Sequence, residues 1–248
     1  MNNKVNTSFL SCLAGFVIIL ICWEIFALIV NLPIIPHPVK VFQKLYMIFG
    51  TMISVHLLQS LYRILTGLVC AVLIGVPLGI CIGYFPRIER LCSPLVYLLY
   101  PVPKVALLPI VMLLFGTGDV SKVLIIFAII IFQIVLSIRD SIHEISEELY
   151  YPLKSLGASF KDIFFDILWP ASLPRLLTAL RISTATSISV LFFTETFGTK
   201  YGLGYFIMDA WLRVNYLEMY AGIIVLSLLG LTVFCIFDLL EKTFCSWK

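Results

Sequence analysis

Two hundred and forty-eight residues that are 61% apolar and only 12% charged, with a mean hydropathy of +1.06, lie far outside the composition of soluble domains. At about 20 apolar residues per membrane crossing, that supply is enough for six helices and leaves no room for an appended soluble catalytic domain. A net charge of +3 without any basic run excludes nucleic-acid binding. Seven cysteines, none in a C-x-x-C spacing and most inside apolar runs, point to packing and not to a metal cluster or a disulfide framework.

Val5 to Val30 is apolar apart from Glu24 and lacks a small-residue cleavage site, so it reads as an uncleaved first span with Glu24 near its far end. Pro33, Pro36 and Pro38 stop it, and 39–55 is then amphipathic, which predicts a separate helix along the outer surface. Ile64 to Phe85 is a second span, with Gly67, Gly75, Gly79 and Gly83 allowing close helix approach. The third, Leu91 to Phe115, is interrupted by Pro94, Pro101, Pro103 and Pro109 and is expected to be short or kinked. A GTGD turn at Gly116 to Asp119 leads to a fourth span, Val123 to Ile138. A polar, helix-favouring loop over Arg139 to Pro174 precedes a fifth, Leu176 to Thr194, and a sixth, Met219 to Phe237.

Six spans place both termini on one side. If that side is the cytoplasm, eleven of the 17 basic residues, from Lys4 to Lys248 and including Lys104, lie there. Five lie outside and Arg63 is left within a helix. The positive-inside rule favours this orientation and makes the 139–174 loop cytoplasmic. Within that loop, Phe160, Ile163, Phe164 and Ile167 share a helical spacing while Lys161, Asp162 and Asp166 face elsewhere. Gly157 just before can take a positive φ or permit close approach of another backbone, and Pro170 and Pro174 are expected to end that short helix before the fifth span restarts. The result is a short exposed helix lying across the membrane face, its Gly-Ala-Ser end offered to a partner.

The loop carries a resemblance. Gly157, Ile167 and Pro170 are in register with the E-A-A, three residues, Gly, nine residues, Ile, one residue, Leu-Pro signature of ABC importer permeases, the membrane components of binding-protein-dependent transport systems. Tyr151, Pro152 and Leu153 stand where Glu-Ala-Ala is expected, Trp169 replaces Leu, and Glu147 and Glu148 lie slightly upstream. The segments LPIIPHPVKVF, SLYRILTGLVCAVLIGVPLGICIGYF, PVPKVALLPIVMLLFGTGDVSKVLI and ETFGTKYGLGYFIMDA extend the resemblance over nearly the whole chain, to the nitrate/sulfonate/taurine branch. That branch also includes importers of bicarbonate and of thiamine-precursor pyrimidines.

The resemblance implies an all-α membrane protein of the type I ABC importer permease fold, with residues 1–248 forming one transmembrane domain. It implies two permease copies around a solute pathway, two cytoplasmic ATPases gripping the loop, an extracytoplasmic binding protein that delivers the solute, and a bacterial inner-membrane location. The solute would be a sulfonate, nitrate, taurine or similar anion, or a thiamine-precursor pyrimidine. No G-x-x-x-x-G-K-[ST] occurs, so ATP and Mg would sit on the partner ATPase, with no cofactor, metal or catalytic residue in this chain. Leu156, Gly157, Ala158, Ser159 and Phe160 are the expected coupling contacts, with Lys161 and Asp162 at the rim.

Charges within spans are costly and mark function. Arg63 and Glu195 lie at similar depths near the outer side, so a pair that steadies an outer gate or lines a polar vestibule is one expectation; independent snorkelling is the other. Ser183, Thr184 and Ser187 could line the pathway for a small anion or simply be small residues at a helix contact. Gly202 and Gly204 are expected to shape a re-entrant outer turn. Two rival classes fit less well. A secondary transporter would show repeats and midplane carboxylates, and a membrane-embedded hydrolase would need a nucleophile and base, yet no G-x-S-x-G occurs and the three histidines fall at loops or span ends.

Overall fold

The computed structural model describes the backbone of residues 2–245 and the side chains of residues 14–245; the expectations resting on Lys4, Cys12 and Lys248 lie outside the described residues. Eleven α-helices follow in order: α1 (Asn2–Val30), α2 (Pro38–Ile48), α3 (Ser54–Tyr84), α4 (Pro86–Leu99), α5 (Leu108–Phe115), α6 (Asp119–His143), α7 (Tyr150–Ser155), α8 (Phe160–Ile163), α9 (Trp169–Glu195), α10 (Leu203–Leu212) and α11 (Tyr216–Phe244). No strand occurs among the described residues. Backbone polar groups in hydrocarbon have no water to bond, so each spanning segment must satisfy them internally, as a helix does.

Four helical stretches are long and apolar enough to cross a membrane: Pro38–Tyr84, Asp119–His143, Phe160–Glu195 and Tyr216–Phe244. The helices Pro86–Leu99 and Lys104–Phe115, bent by 79° at the break between them, are long and apolar enough only when taken together, and as one broken span they make a fifth. The described side chains of α1 add a shorter apolar segment, Ala14–Val30. The expected kink in the third crossing is therefore a true break. Pro101 and Pro103 lack the N–H that would continue α4, and the chain re-forms as a 3₁₀ turn, Lys104–Leu107, before α5.

Two expectations about helix ends are corrected. The amphipathic 39–55 stretch is not a separate surface helix. It runs through a π turn, Phe49–Ile53, directly into α3, because the π turn takes up an extra residue while keeping its backbone bonded. Nor do Pro170 and Pro174 end a helix. The chain is helical from Phe160 to Glu195 through a second π turn, Phe164–Leu168, which widens the backbone immediately before Pro170, and Pro174 sits inside α9. The stretch expected to be a polar, helix-favouring loop is mostly helix, interrupted at 144–146 and 156–159.

The core is built on one tight seam. A Cβ added at Gly67 would lie 2.6 Å from the Ile126 side chain, at Gly75 3.1 Å from Ile134, at Gly79 2.7 Å from Ile138 and at Gly83 3.0 Å from Ile142. Each pair differs by 59 in residue number, and Ala71 and Ile130, both fully buried, fall in the same register. A constant difference means that α3 and α6 run parallel, with the glycine row of one facing the isoleucine row of the other. Both rows repeat every four residues, the i±4 ridge along which helices interlock. Lipid offers no hydrophobic drive for helix association, so this close van der Waals fit is what holds the pair. α9 then packs antiparallel on α6, with the Ser137 hydroxyl donating to the Arg175 carbonyl at 3.3 Å and Ser141 to Ser172 at 3.4 Å.

Candidate functional site

The end of the bundle that carries residues 144–168 is organised by two local capping motifs. α7 ends in a Schellman arrangement: the Gly157 N–H donates to the Lys154 carbonyl at 3.1 Å and the Ala158 N–H to Leu153 at 2.9 Å. Gly157 has φ +74°, the left-handed value this motif requires, and no atom of the chain lies within 4 Å of where its Cβ would be. Two residues on, Ser159 caps α8. Its hydroxyl accepts from the Asp162 N–H at 3.4 Å, and its own N–H donates to the Asp162 carboxylate at 2.8 Å, a reciprocal capping box.

These caps turn the chain sharply and leave Leu156 at the tip, 86% exposed. Leu153 and Ala158 pack inward, and Lys161 and Asp162 are exposed. Phe160 docks on the opposite side, its ring 5.3 Å from Tyr84 and 5.5 Å from Phe85 at the junction of α3 and α4, and Tyr150 lies 6.2 Å from Tyr84. The turn is thereby tied to the adjoining ends of two helices besides its own, α3 and α4. Tyr151 and Pro152, where the signature has acidic and small residues, are exposed on α7. Glu147 lies one short turn upstream and, with Tyr151 and Lys154, lines a cleft of about 820 Å³.

At the opposite end, Arg63 and Glu195 are paired: Arg63 Nη1 lies 2.7 Å from Glu195 Oε1, with 3% and 0% of the two side chains exposed. Such burial excludes independent snorkelling. Arg63 spends all five of its N–H groups. Nη1 also donates to the Tyr201 carbonyl at 2.8 Å, Nε and Nη2 to Asp119 at 2.9 and 2.7 Å, and Nη2 to Thr199 at 3.3 Å. Glu195 is equally satisfied, accepting from the Ser60 hydroxyl at 2.9 Å and the Gly204 N–H at 2.8 Å. Ser60 in turn accepts from the Leu203 N–H at 2.8 Å. Burying a charge pair costs several kcal/mol per ion, roughly, unless the remaining donors and acceptors are filled; here they are.

The glycines of the GLGY segment make this possible. Gly202 has φ +133°, and a Cβ there would sit 2.5 and 2.6 Å from the Glu195 carboxylate oxygens; one at Gly204 would sit 2.7 Å from the Phe192 carbonyl. The re-entrant turn is thus pressed onto the ion pair, with the Gly202 N–H donating to His56 Nδ1 at 3.1 Å. Gly202→Ala is expected to cost about 2 kcal/mol by forcing both an unfavourable φ and a clash, seen as a lowered melting temperature in detergent with the oligomeric state unchanged.

Asp119, Ser60 and Lys122 belong to this cluster and were not singled out from sequence. Lys122 is fully buried, with Nζ 2.5 Å from the Thr117 carbonyl and 3.2 Å from that of Gly118, beside Asp119 and Glu195. Their one sequence signal is a charged pair three residues apart at the start of an apolar run, which reads equally well as an ordinary helix end. The hydroxyls of the fifth crossing stand differently. Ser183, Thr184 and Ser187 are buried; Thr184 donates to the Leu180 carbonyl at 2.9 Å, Ser187 to Ser183 at 2.7 Å, and Ser183 to Gln133 at 2.5 Å across the α6 contact. Their donors are spent within the chain, the arrangement of residues that let helices approach.

A family model described as binding-protein-dependent transport system inner membrane component matches residues 71–244. The chain is 29% identical over 238 residues to the taurine transport system permease protein TauC of Escherichia coli (strain K12), covering 93% of this chain and 86% of that protein. It is also 29% identical over 237 residues to the formylaminopyrimidine transport permease protein ThiX of Halalkalibacterium halodurans, covering 94% of each. Among solved structures, a chain of the inward-facing MetNI methionine ABC transporter superposes with a TM-score of 0.66 at 18% identity, over 76% of this chain and 94% of that one.

Proposed function

The chain belongs to the binding-protein-dependent transport system inner membrane components, the permease subunits of ABC transporters, and on that premise we propose that two copies enclose the path of a small solute driven by a separate ATPase. It is a transport subunit of the type I importer permease fold and not a catalyst. The solute is of the kind its relatives' names carry, a sulfonate-bearing molecule such as taurine or a thiamine-precursor pyrimidine, brought by an extracytoplasmic binding protein. ATP and Mg belong to the ATPase. The protein sits in a bacterial inner membrane with both termini and the 144–168 segment in the cytoplasm.

The observation that carries this reading is the Leu156 tip. An apolar side chain 86% exposed at the point of a rigidly capped turn, beside charged residues and with nothing of its own chain over it, is placed to be covered by another protein. Leu156, Gly157, Ala158, Ser159 and Phe160, rimmed by Lys161 and Asp162, form the peg. ATP-driven closure of two ATPases moves both pegs, and Phe160 passes the movement through Tyr84 and Phe85 into α3 and α4. Ligand-dependent preference for one arrangement over the other then alternates access. At the other end Arg63 and Glu195 steady the outer side by fixing the turn at 198–204 to α3, α6 and α9.

Leu156→Asp tests this directly. The tip touches no core residue, so the variant is expected to fold and melt as the parent does, yet to retain at least about tenfold less ATPase on gentle detergent purification, an effect of about 1.4 kcal/mol or more. Equal ATPase retention by the variant, or labelling of the 156–162 segment from outside intact cells, would overturn the assignment. Affinity measurements on the cognate extracytoplasmic binding protein identify the solute.

A further inference from the structure

The break in the third crossing holds a charge at an unexpected depth. Lys104, which the count of basic residues assigned to the cytoplasmic side, has its Nζ 4.5 Å from the centre of the Phe132 ring. Phe132 lies thirteen residues after Asp119 and eleven before His143 in α6, so at about 1.5 Å per residue it is roughly 20 Å and 16 Å from the two helix ends, near the bilayer centre. The Lys104 ammonium donates to the carbonyls of Leu99, at 2.8 Å, and of Tyr100, the last groups of α4. It therefore sits on the negative end of a half-helix that stops inside the membrane. Broken helices at the midplane are where transporters place the groups that meet solutes.

Other cations embedded in the spans face carboxylates, Arg139 among them through its neighbour Asp140. Arg63 pairs with Glu195 and Asp119, Lys122 lies beside the same two, and Arg181 reaches Asp238 at 3.0 Å and Glu241 at 3.6 Å. Lys104 forms no ion pair among the described residues, and the 101–103 segment beside it is exposed. A charge at this depth cannot face lipid; it faces protein or a water-filled cavity. Within the chain its surroundings are carbonyls and aromatic rings, which leave one N–H and a full positive charge unspent.

We propose that Lys104 is an anion-binding residue of the solute pathway, so that the transported molecule carries a negative group such as a sulfonate or a small oxyanion. This rests on the permease reading above and narrows its substrate class. The open side of the α4–α5 break is then the pathway wall, and a second copy brings a second Lys104 to the same depth. Two ammoniums without carboxylates favour an anion between them and disfavour a neutral pyrimidine. The helix-end carbonyls hold each ammonium in place.

The test places a reporter cysteine at Val102 or, separately, at Ala106, both exposed at the break, and compares labelling in native membranes by a sulfonate-bearing and a trimethylammonium-bearing methanethiosulfonate. Rates are taken above that of the chain without a reporter and divided by each reagent's rate with a free thiol in solution. With Lys104 present the anionic reagent is expected to react at least about tenfold faster than the cationic one. Lys104→Gln, which still donates to the carbonyls, should bring that ratio close to one, and Lys104→Arg should preserve it. No reaction at either reporter, no anionic preference in the parent, or the same preference in Lys104→Gln would each overturn the proposal. Labelling is read on the permease itself and does not depend on ATPase retention, so failure of the permease reading shows in the Leu156 experiment and failure of this one shows here.

Discussion

Replacing Arg63 by methionine is expected to abolish transport and to destabilise the protein by about 3–5 kcal/mol, the effect of stranding a buried partner charge. The methionine matches the stem of arginine but supplies none of its five donors. Glu195, with no exposed surface, would keep only Ser60 and the Gly204 N–H, and the turn at 198–204 would lose its bonds through Tyr201 and Thr199. The reverse change should be milder. Glu195→Met leaves Arg63 with Asp119, which is 42% exposed and can draw on water. Glu195→Gln should be milder still, because an amide oxygen accepts from Arg63 and Ser60 as the carboxylate does. The order Arg63→Met, then Glu195→Met, then Glu195→Gln, read as melting temperature in detergent and as uptake into proteoliposomes, distinguishes a satisfied buried network from a simple charge pair. A pair alone would make the first two equal.

Gly79→Leu is expected to separate α3 from α6 and to cost more than about 3 kcal/mol, at or beyond the upper end for an overpacked site. The Cβ alone would stand 2.7 Å from Ile138 Cβ and 3.0 Å from the Val135 carbonyl, so backbone and not merely a flexible side-chain end would have to move. Relief by Ile138→Ala should be only partial, since the Val135 carbonyl remains. Gly15→Leu and Gly118→Leu, where nothing lies within 4 Å of the added carbon, should leave the melting temperature within about 2 °C of the parent. If Gly79→Leu matched those controls, the 59-residue register between the glycine and isoleucine rows would be wrong.

The turn at 156–162 shows how far local chemistry reaches. A glycine that must take positive φ, followed two residues later by a serine with an aspartate three further on, is a stop and a start that the chain writes into consecutive positions. The same stretch also misled. Pro170 and Pro174 looked like helix breakers, but a π turn just upstream absorbs the first and the surrounding helix tolerates the second. Backbone adjustments of that kind have no residue signature.

Apolar content, the proline interruption of the third run and the Gly157 turn are all properties of contiguous residues, and the amino-acid order determined them; the expected count of six spans was not, since four stretches qualify, or five with the broken pair. Which glycine faces which isoleucine, that Arg63 meets Asp119 and Glu195 from positions 56 and 132 residues away, and that Lys104 lies at mid-depth beside Phe132 were decided only when the helices packed. The division is physical. Hydrogen bonding within a helix and the cost of an exposed backbone in lipid act over a few residues, whereas desolvated charges and close-packed ridges take their meaning from neighbours far away in the chain.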